Sequence, residues 1–251
     1  MTIVAARELR DGALCFVGIG LPNVAANLAR RLHAPDLVLF YESGTIGSKP
    51  DVLPLSIGDG ELAETADTVV SVPEIFAYWL QAGRIDIGFL GAAQIDRFGD
   101  LNTTVIGDYD APRVRLPGSG GAAEIAAHAR EVVVLLRHER RAFVERLDFV
   151  TTSARAVSAR SGVEPARRRG LSRVITDLGV LEPDSASGEL VLTAVHPGVA
   201  ANAVRAATGW PLRVADPLSM TEPPTEAELD TLRELTAHSA EAHRLRGVDG
   251  R

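Results

Sequence analysis

Glu42 is the residue of this chain best placed by its neighbours to do chemistry. It stands in Tyr41-Glu42-Ser43-Gly44, just after the apolar run 37–40 and just before a glycine-bearing turn. The stretch 36–41, Asp-Leu-Val-Leu-Phe-Tyr, reads as a buried parallel strand. Ligands of open α/β sheets bind at the carboxyl ends of such strands, so the Glu42 carboxylate would face a crevice. A carboxylate there can act as a nucleophile. The same residue type in a loop can also be a solvated acid or help cap a following helix.

Three glycine-rich turns carry a similar choice. Gly18-Ile19-Gly20-Leu21-Pro22-Asn23 is half a dinucleotide fingerprint, lacking the third glycine and a clear ribose-binding acid, so a nicotinamide site fits poorly. It is either a tight strand-to-helix turn or a place where a ligand approaches the backbone. Gly91-Ala92-Ala93-Gln94-Ile95-Asp96 follows an apolar run over 85–90. Gly118-Ser119-Gly120-Gly121-Ala122 opens a helical stretch carrying Glu124. Backbone N–H groups at such a start attract negative charge, which suits an oxyanion site or a phosphate cradle; the alternative is a plain flexible turn. The six histidines show no metal-ligand spacing, and His138 and His196 read as structural. Cys15, the only cysteine, lies in an apolar run and reads as a buried thiol.

Helical and strand-like segments alternate, which predicts an α/β fold: an open, mostly parallel sheet with helices on both faces, in a single domain over 1–251. Helices are expected over 2–10, 24–32, 73–82 and 122–130, and short Val/Ile-rich strands over 14–17, 68–72, 85–90, 131–136 and 172–176. The stretch 153–169, rich in Ser, Arg and Ala without a clear period, reads as a surface excursion. Thr225 with Glu228 three residues later forms a capping-box pattern for a C-terminal helix over 226–243, after which 247–251 should fray.

At 251 residues, with 46% hydrophobic and 24% charged residues, the composition is that of an ordinary globular protein. A formal net charge of -7 argues against a nucleic-acid partner. A charged N-terminus and the lack of a bilayer-length apolar stretch predict a cytoplasmic protein with no membrane contact.

Taken together, 17–22 (Val-Gly-Ile-Gly-Leu-Pro), 41–44 (Tyr-Glu-Ser-Gly), 91–96 and 118–122 resemble the β subunit of the family I CoA-transferases, in order and spacing, over about 2–236. Glu-Ser-Gly, where the oxoacid branch carries Asn at position 43, is similar to the branch with glutaconate CoA-transferase and one type of 3-oxoadipate CoA-transferase. The stretches 54–69, 107–109 and 196–198 look most like the 3-oxoadipate type. The resemblance implies CoA transfer from succinyl-CoA to a dicarboxylic oxo acid, 3-oxoadipate, through a glutamyl-CoA thioester on Glu42. It implies oxyanion or CoA contacts from Gly118, Ser119, Gly120 and Gly121. Gly18, Gly20, Ser43, Gly44, Gly91, Ala92, Gln94 and Arg113 would line the substrate pocket. The CoA thioester is then a substrate, with no metal or redox cofactor, and the partner is an α subunit, in a heterodimer or α2β2 assembly. Arg113 or Arg115 could hold a distal carboxylate, unless they form surface salt bridges or the partner supplies that group. The alternatives are a glutaconate-type transferase, a thioester hydrolase or decarboxylase of the same fold, whose members typically lack this glutamate, and a non-catalytic binding relative.

Overall fold

Apolar strands and small-residue helices build two compact units in the computed structural model, which describes residues 1–154, 170–245 and 247. The expected excursion over 153–169 lies, from 155 onward, outside the described residues, as does the expected fraying end except for Gly247. One unit comprises Thr2–Ile87 with the segment from Pro224; the other comprises Gly88–Pro223 with Met1.

The first unit begins with α1 (Thr2–Arg7), shorter than expected because the chain tightens after it, Glu8 N donating to Ala5 O at 3.2 Å and Leu9 N to Ala6 O at 3.1 Å. Next come β1 (Leu14–Val17), α2 (Leu21–Leu32), β2 (Val38–Phe40), β3 (Thr45–Ile46), α3 (Gly60–Glu64), β4 (Thr68–Val69) and α4 (Val72–Glu74), which runs on as a π-helical stretch, Ile75–Gln81. The strand order is β1-β2-β3-β4. β1 and β2 are parallel, with Phe16 opposite Phe40, while β2–β3 and β3–β4 are antiparallel. The alanine-rich face of α2 (Ala25, Ala26, Ala29) is buried, as are Ala5 and Ala6 of α1, so small side chains let backbone come close.

The strand expected over 68–72 stops early. Ser71 caps α4 in a capping box, its Oγ accepting from Glu74 N at 3.4 Å while the Glu74 carboxylate accepts from Ser71 N at 2.9 Å. That Ser-x-x-Glu pattern was present in the sequence and outweighs the apolar Val70 and Val72. The C-terminal helix, Glu226–Leu245, starts with the expected box: Thr225 N donates to Glu228 Oε2 at 2.7 Å and Glu228 N donates to Thr225 Oγ1 at 3.2 Å. Arg7 then grips Glu228 with two parallel bonds of 2.7 and 2.6 Å, which holds the carboxyl down at a pKa of about 2. Ser239 accepts from Leu53 N at 2.9 Å, pinning the same helix near its middle.

The second unit holds β5 (Ile87–Gly91), β6 (Gln94–Ile95), β7 (Leu101–Asn102), β8 (Val105–Gly107), β9 (Pro112–Arg115), α5 (Ala122–His128), β10 (Glu131–Leu135), β11 (Gly170–Ile175), β12 (Gly179–Pro183), β13 (Leu190–Val195), α6 (Ala201–Ala206) and β14 (Arg213–Met220). Its sheet runs β14-β13-β12-β11-β10-β5. β10–β11 and β13–β14 are parallel; β11–β12 and β12–β13 are antiparallel. Two short hairpins, β6–β7 and β8–β9, lie outside that sheet. Among the described residues no helix is long and apolar enough to cross a membrane.

Candidate active site

Glu42 emerges where the sequence places it, immediately after the buried strand β2, and is itself partly exposed. Two backbone bonds close the turn beneath it: Tyr41 N donates to Thr45 O at 3.1 Å and Gly44 N donates to Tyr41 O at 2.9 Å. Gly44 has φ 98°, and a Cβ there would land inside the Val70 carbonyl, while Gly44 O accepts from Val70 N at 2.9 Å. Only glycine satisfies both the left-handed backbone and the close approach. The Ser43 Oγ and Thr45 Oγ1 atoms flanking this turn are buried without a hydrogen-bond partner among the described residues.

The first glycine turn lies beside this one. β1 runs parallel to β2 with Phe16 opposite Phe40, so the turns that follow the two strands, at Gly18 and at Glu42, leave the same edge of the sheet. Gly20 has φ 92° and precedes α2, whose first turn carries Pro22 and no acidic residue. The turn therefore also delivers Asn23 to a fully packed position, 1% exposed. Tyr41, whose side chain is completely buried, donates its hydroxyl to Asn23 Oδ1 at 2.6 Å. Asn27 Nδ2 donates to Asn23 Oδ1 and to Asn23 O, each at 3.0 Å, and Arg30 Nη1 donates to Asn27 Oδ1 at 3.1 Å. Burial raises the Tyr41 pKa well above that of an ordinary tyrosine, so the phenol stays a neutral donor. Sequence reasoning passed over these residues. The available signal was polar Asn at 23 and 27, one turn apart, on the buried alanine face of an amphipathic helix.

The remaining predicted residues belong to the second unit. In the loop 118–121, Gly118 has φ 106° and Gly120 φ 45°. Gly118 N donates to Thr103 O at 3.0 Å and Thr103 Oγ1 donates to Gly118 O at 2.8 Å. Gly118 therefore anchors the loop, and its N–H is not open to a ligand. The N–H groups of Ser119 and Gly120 carry no bond among the described residues and remain available. Gly91 ends β5 and is exposed; Ala92 is partly exposed. Gln94 is buried and its amide is already engaged, donating to Asp148 Oδ2 at 3.0 Å and accepting from Asn102 Nδ2 at 2.8 Å and from Asp148 N at 3.1 Å. That network braces the 147–150 segment, leaving little of the side chain for a ligand. Arg115 stacks over the Tyr109 ring at 5.1 Å and donates to Tyr109 O at 3.1 Å, whereas Arg113 on the same strand is exposed and has no charged partner among the described residues.

His138 and His196 are tied into the second unit as structural groups. His138 is stacked on Phe143 at 3.7 Å, with Nε2 2.9 Å from Thr208 Oγ1, and burial lowers its pKa to about 4. His196 lies 2.8 Å from both Thr221 Oγ1 and Thr176 O, with its pKa also lowered by burial. Thus Gly18, Gly20, Glu42, Ser43 and Gly44 gather at the carboxyl ends of two neighbouring strands of one unit. Gly91, Ala92, Gln94, Arg113 and 118–121 belong to the other.

Residues 1–207 match the coenzyme A transferase family. This chain belongs to that family. It is 56% identical over 252 residues to the B-type subunit of 3-oxoadipate CoA-transferase from Pseudomonas knackmussii, covering 98% of this chain and 95% of that one. It is 34% identical over 243 residues to the B-type subunit of glutaconate CoA-transferase from Acidaminococcus fermentans, covering 92% and 89%. Among solved structures, glutaconate coenzyme A-transferase from Acidaminococcus fermentans superposes with a TM-score of 0.83 at 30% identity, over 93% of this chain and 91% of that one. The decarboxylase AibA/AibB superposes with a TM-score of 0.80 at 30% identity, over 100% and 97%. The open, mostly parallel α/β architecture expected from the sequence is the CoA-transferase fold.

Proposed function

We propose that this chain is the B-type subunit of a 3-oxoadipate CoA-transferase and that Glu42 is its nucleophile. The observation that carries the reading is a carboxylate on a turn locked from both sides, at the carboxyl end of β2, in a CoA-transferase chain 56% identical to one from a 3-oxoadipate enzyme. A carboxylate oxygen of Glu42 attacks the thioester carbonyl of succinyl-CoA, and collapse of the tetrahedral adduct expels CoA thiolate and leaves a succinyl-glutamyl anhydride. The thiolate attacks the glutamyl carbonyl, releasing succinate and forming the glutamyl-CoA thioester. The carboxylate of 3-oxoadipate then displaces the thiolate, and the thiolate attacks the new acyl carbonyl, freeing 3-oxoadipyl-CoA and the Glu42 carboxylate. Each adduct bears an oxyanion that needs N–H donors, a role the family resemblance gives to the 118–121 loop, where the N–H groups of Ser119 and Gly120 carry no bond among the described residues. An α-type subunit completes the enzyme, as the subunit naming of its relatives suggests.

A decarboxylase shares the fold, so chemistry must be separated from architecture. With the α-type partner and succinyl-CoA, the protein should exchange CoA between free acids without net hydrolysis or CO2 release. Borohydride reduction followed by peptide mass mapping should place the modification on Glu42. Glu42→Ala should lower exchange by at least about 10²-fold. Labelling at another residue, or a Glu42→Ala variant within about tenfold of the parent, would refute the nucleophile.

A further inference from the structure

The chain of buried hydrogen bonds behind Glu42 suggests a role that its neighbours do not need for folding alone. We infer that Tyr41, held by Asn23, is a positioning residue that fixes the direction of the Glu42 carboxylate; this rests on Glu42 being the nucleophile.

The Tyr41 side chain is wholly inside and its hydroxyl is 2.6 Å from Asn23 Oδ1, so both the ring and its far end are fixed. Asn23 is fixed in turn, its Oδ1 also receiving Asn27 Nδ2 at 3.0 Å, and Asn27 is held by Arg30 Nη1 at 3.1 Å. The relay is thus anchored along α2, through Asn23, Asn27 and Arg30. On the backbone side, Tyr41 N and Tyr41 O are the two groups that close the turn, at 3.1 and 2.9 Å. Every freedom of residue 41 is therefore removed, and residue 42 is attached directly to it. A nucleophilic carboxylate must reach an attack distance within a fraction of an ångström, and a support that is itself locked meets that requirement. Any shift of Tyr41 would carry Glu42 with it.

The chemistry of the relay also predicts which changes are gentle. Tyr41→Phe removes the donor but leaves Asn23 Oδ1 still receiving Asn27 Nδ2, so no buried acceptor is orphaned. Asn23→Ala removes the acceptor of the buried phenol hydroxyl and of Asn27 Nδ2 together, and should cost more stability. The pair forms a double-mutant cycle, since each single change removes the same bond.

The test uses the assembled enzyme with succinyl-CoA and an acceptor acid, reading kcat, KM, borohydride labelling of Glu42 and thermal stability together. In Tyr41→Phe, kcat should fall about tenfold or more while KM for both substrates changes less than about twofold, with labelling of Glu42 slowing in step. Adding Tyr41→Phe to Asn23→Ala should lower kcat little further, because the shared bond is already gone. Tyr41→Phe with kcat within about twofold of the parent, or multiplicative losses in the double variant, would overturn the inference and leave Tyr41 a core residue. A parent enzyme that never labels Glu42 would overturn the nucleophile and the relay with it. Labelling that persists beside a fully active Tyr41→Phe overturns the relay alone.

Discussion

At the residue scale, the site turns on positions where one atom too many is decisive. Gly44 combines φ 98° with a neighbouring carbonyl where a Cβ would lie. Gly44→Ala should therefore destabilise the protein by more than the ~1–3 kcal/mol of backbone strain alone, measurable as a lower urea midpoint, with Glu42 reactivity falling alongside it. His138 gives a pH dependence whose direction follows from its burial. Its imidazole protonates near 6.5 in the unfolded chain but only near 4 in the folded protein. Between those values the unfolded state holds the extra proton, so stability is fully present above about pH 6.5 and declines as pH falls toward 4, by at most ~3 kcal/mol. His196, lowered by the same cause, acts in the same direction. The Arg7-bound Glu228 carboxyl loses its contribution in a separate window, below 4.5 and toward 2. Denaturant titrations of His138→Gln should show a shallower fall between about pH 6.5 and 4.5 than the parent; an unchanged slope there would remove His138 as the cause. Glu42 was legible as a carboxylate after an apolar run because strand and turn are local signals. The Tyr41–Asn23 bond was not, because it joins residues 18 apart through packing that composition cannot show.

At the element scale, the loop ahead of α5 illustrates what glycines do beyond permitting a turn. Gly118 is consumed by Thr103, while Ser119 and Gly120 keep their N–H groups. Gly120 has φ 45°, so replacing it with Val strains the backbone and rotates those donors together. Gly120→Val should lower kcat by about 10²-fold with a smaller change in KM, the scale seen when an oxyanion donor is lost. Normal kcat would reduce the loop to a connecting turn. The sequence showed this loop and the strands expected over 14–17 and 131–136, the second of which ends one residue earlier at Leu135, because short apolar, valine-bearing runs near glycine or helix-ending signals are strong local cues. It did not show β6 to β9, which are two to four residues long and stabilised by side-chain clamps such as Asn102 and Thr103. Nor did it show β14, where Asp216-Pro217 interrupts the alternation that marks a strand. Short strands are made by their partners, and a single chain read linearly does not name those partners.

At the scale of the whole molecule, the question is what selects the acceptor acid. A dicarboxylate offers one carboxylate to the glutamyl-CoA thioester and leaves a second that must be held, which favours a guanidinium able to bind it by two parallel bonds. Arg115 is already committed to Tyr109, so Arg113 is the candidate this chain provides. It is exposed on β9, and the same strand leads into the 118–121 loop, so one stretch of chain carries both a cation and the proposed oxyanion donors. Exposed groups are screened by solvent unless a substrate or partner covers them, so the effect should emerge in the assembled enzyme with its α-type subunit. There, with succinyl-CoA as donor, 3-oxoadipate should be preferred over glutaconate and acetoacetate. Arg113→Ala should raise KM for 3-oxoadipate by about 10-fold to 10²-fold, the worth of one charge-assisted contact, while leaving acetoacetate nearly unchanged. Equal losses for the mono- and dicarboxylate would show that Arg113 supports the fold or the CoA moiety instead. Preference for acetoacetate in the parent enzyme would remove 3-oxoadipate as the substrate while leaving CoA transfer through Glu42 intact.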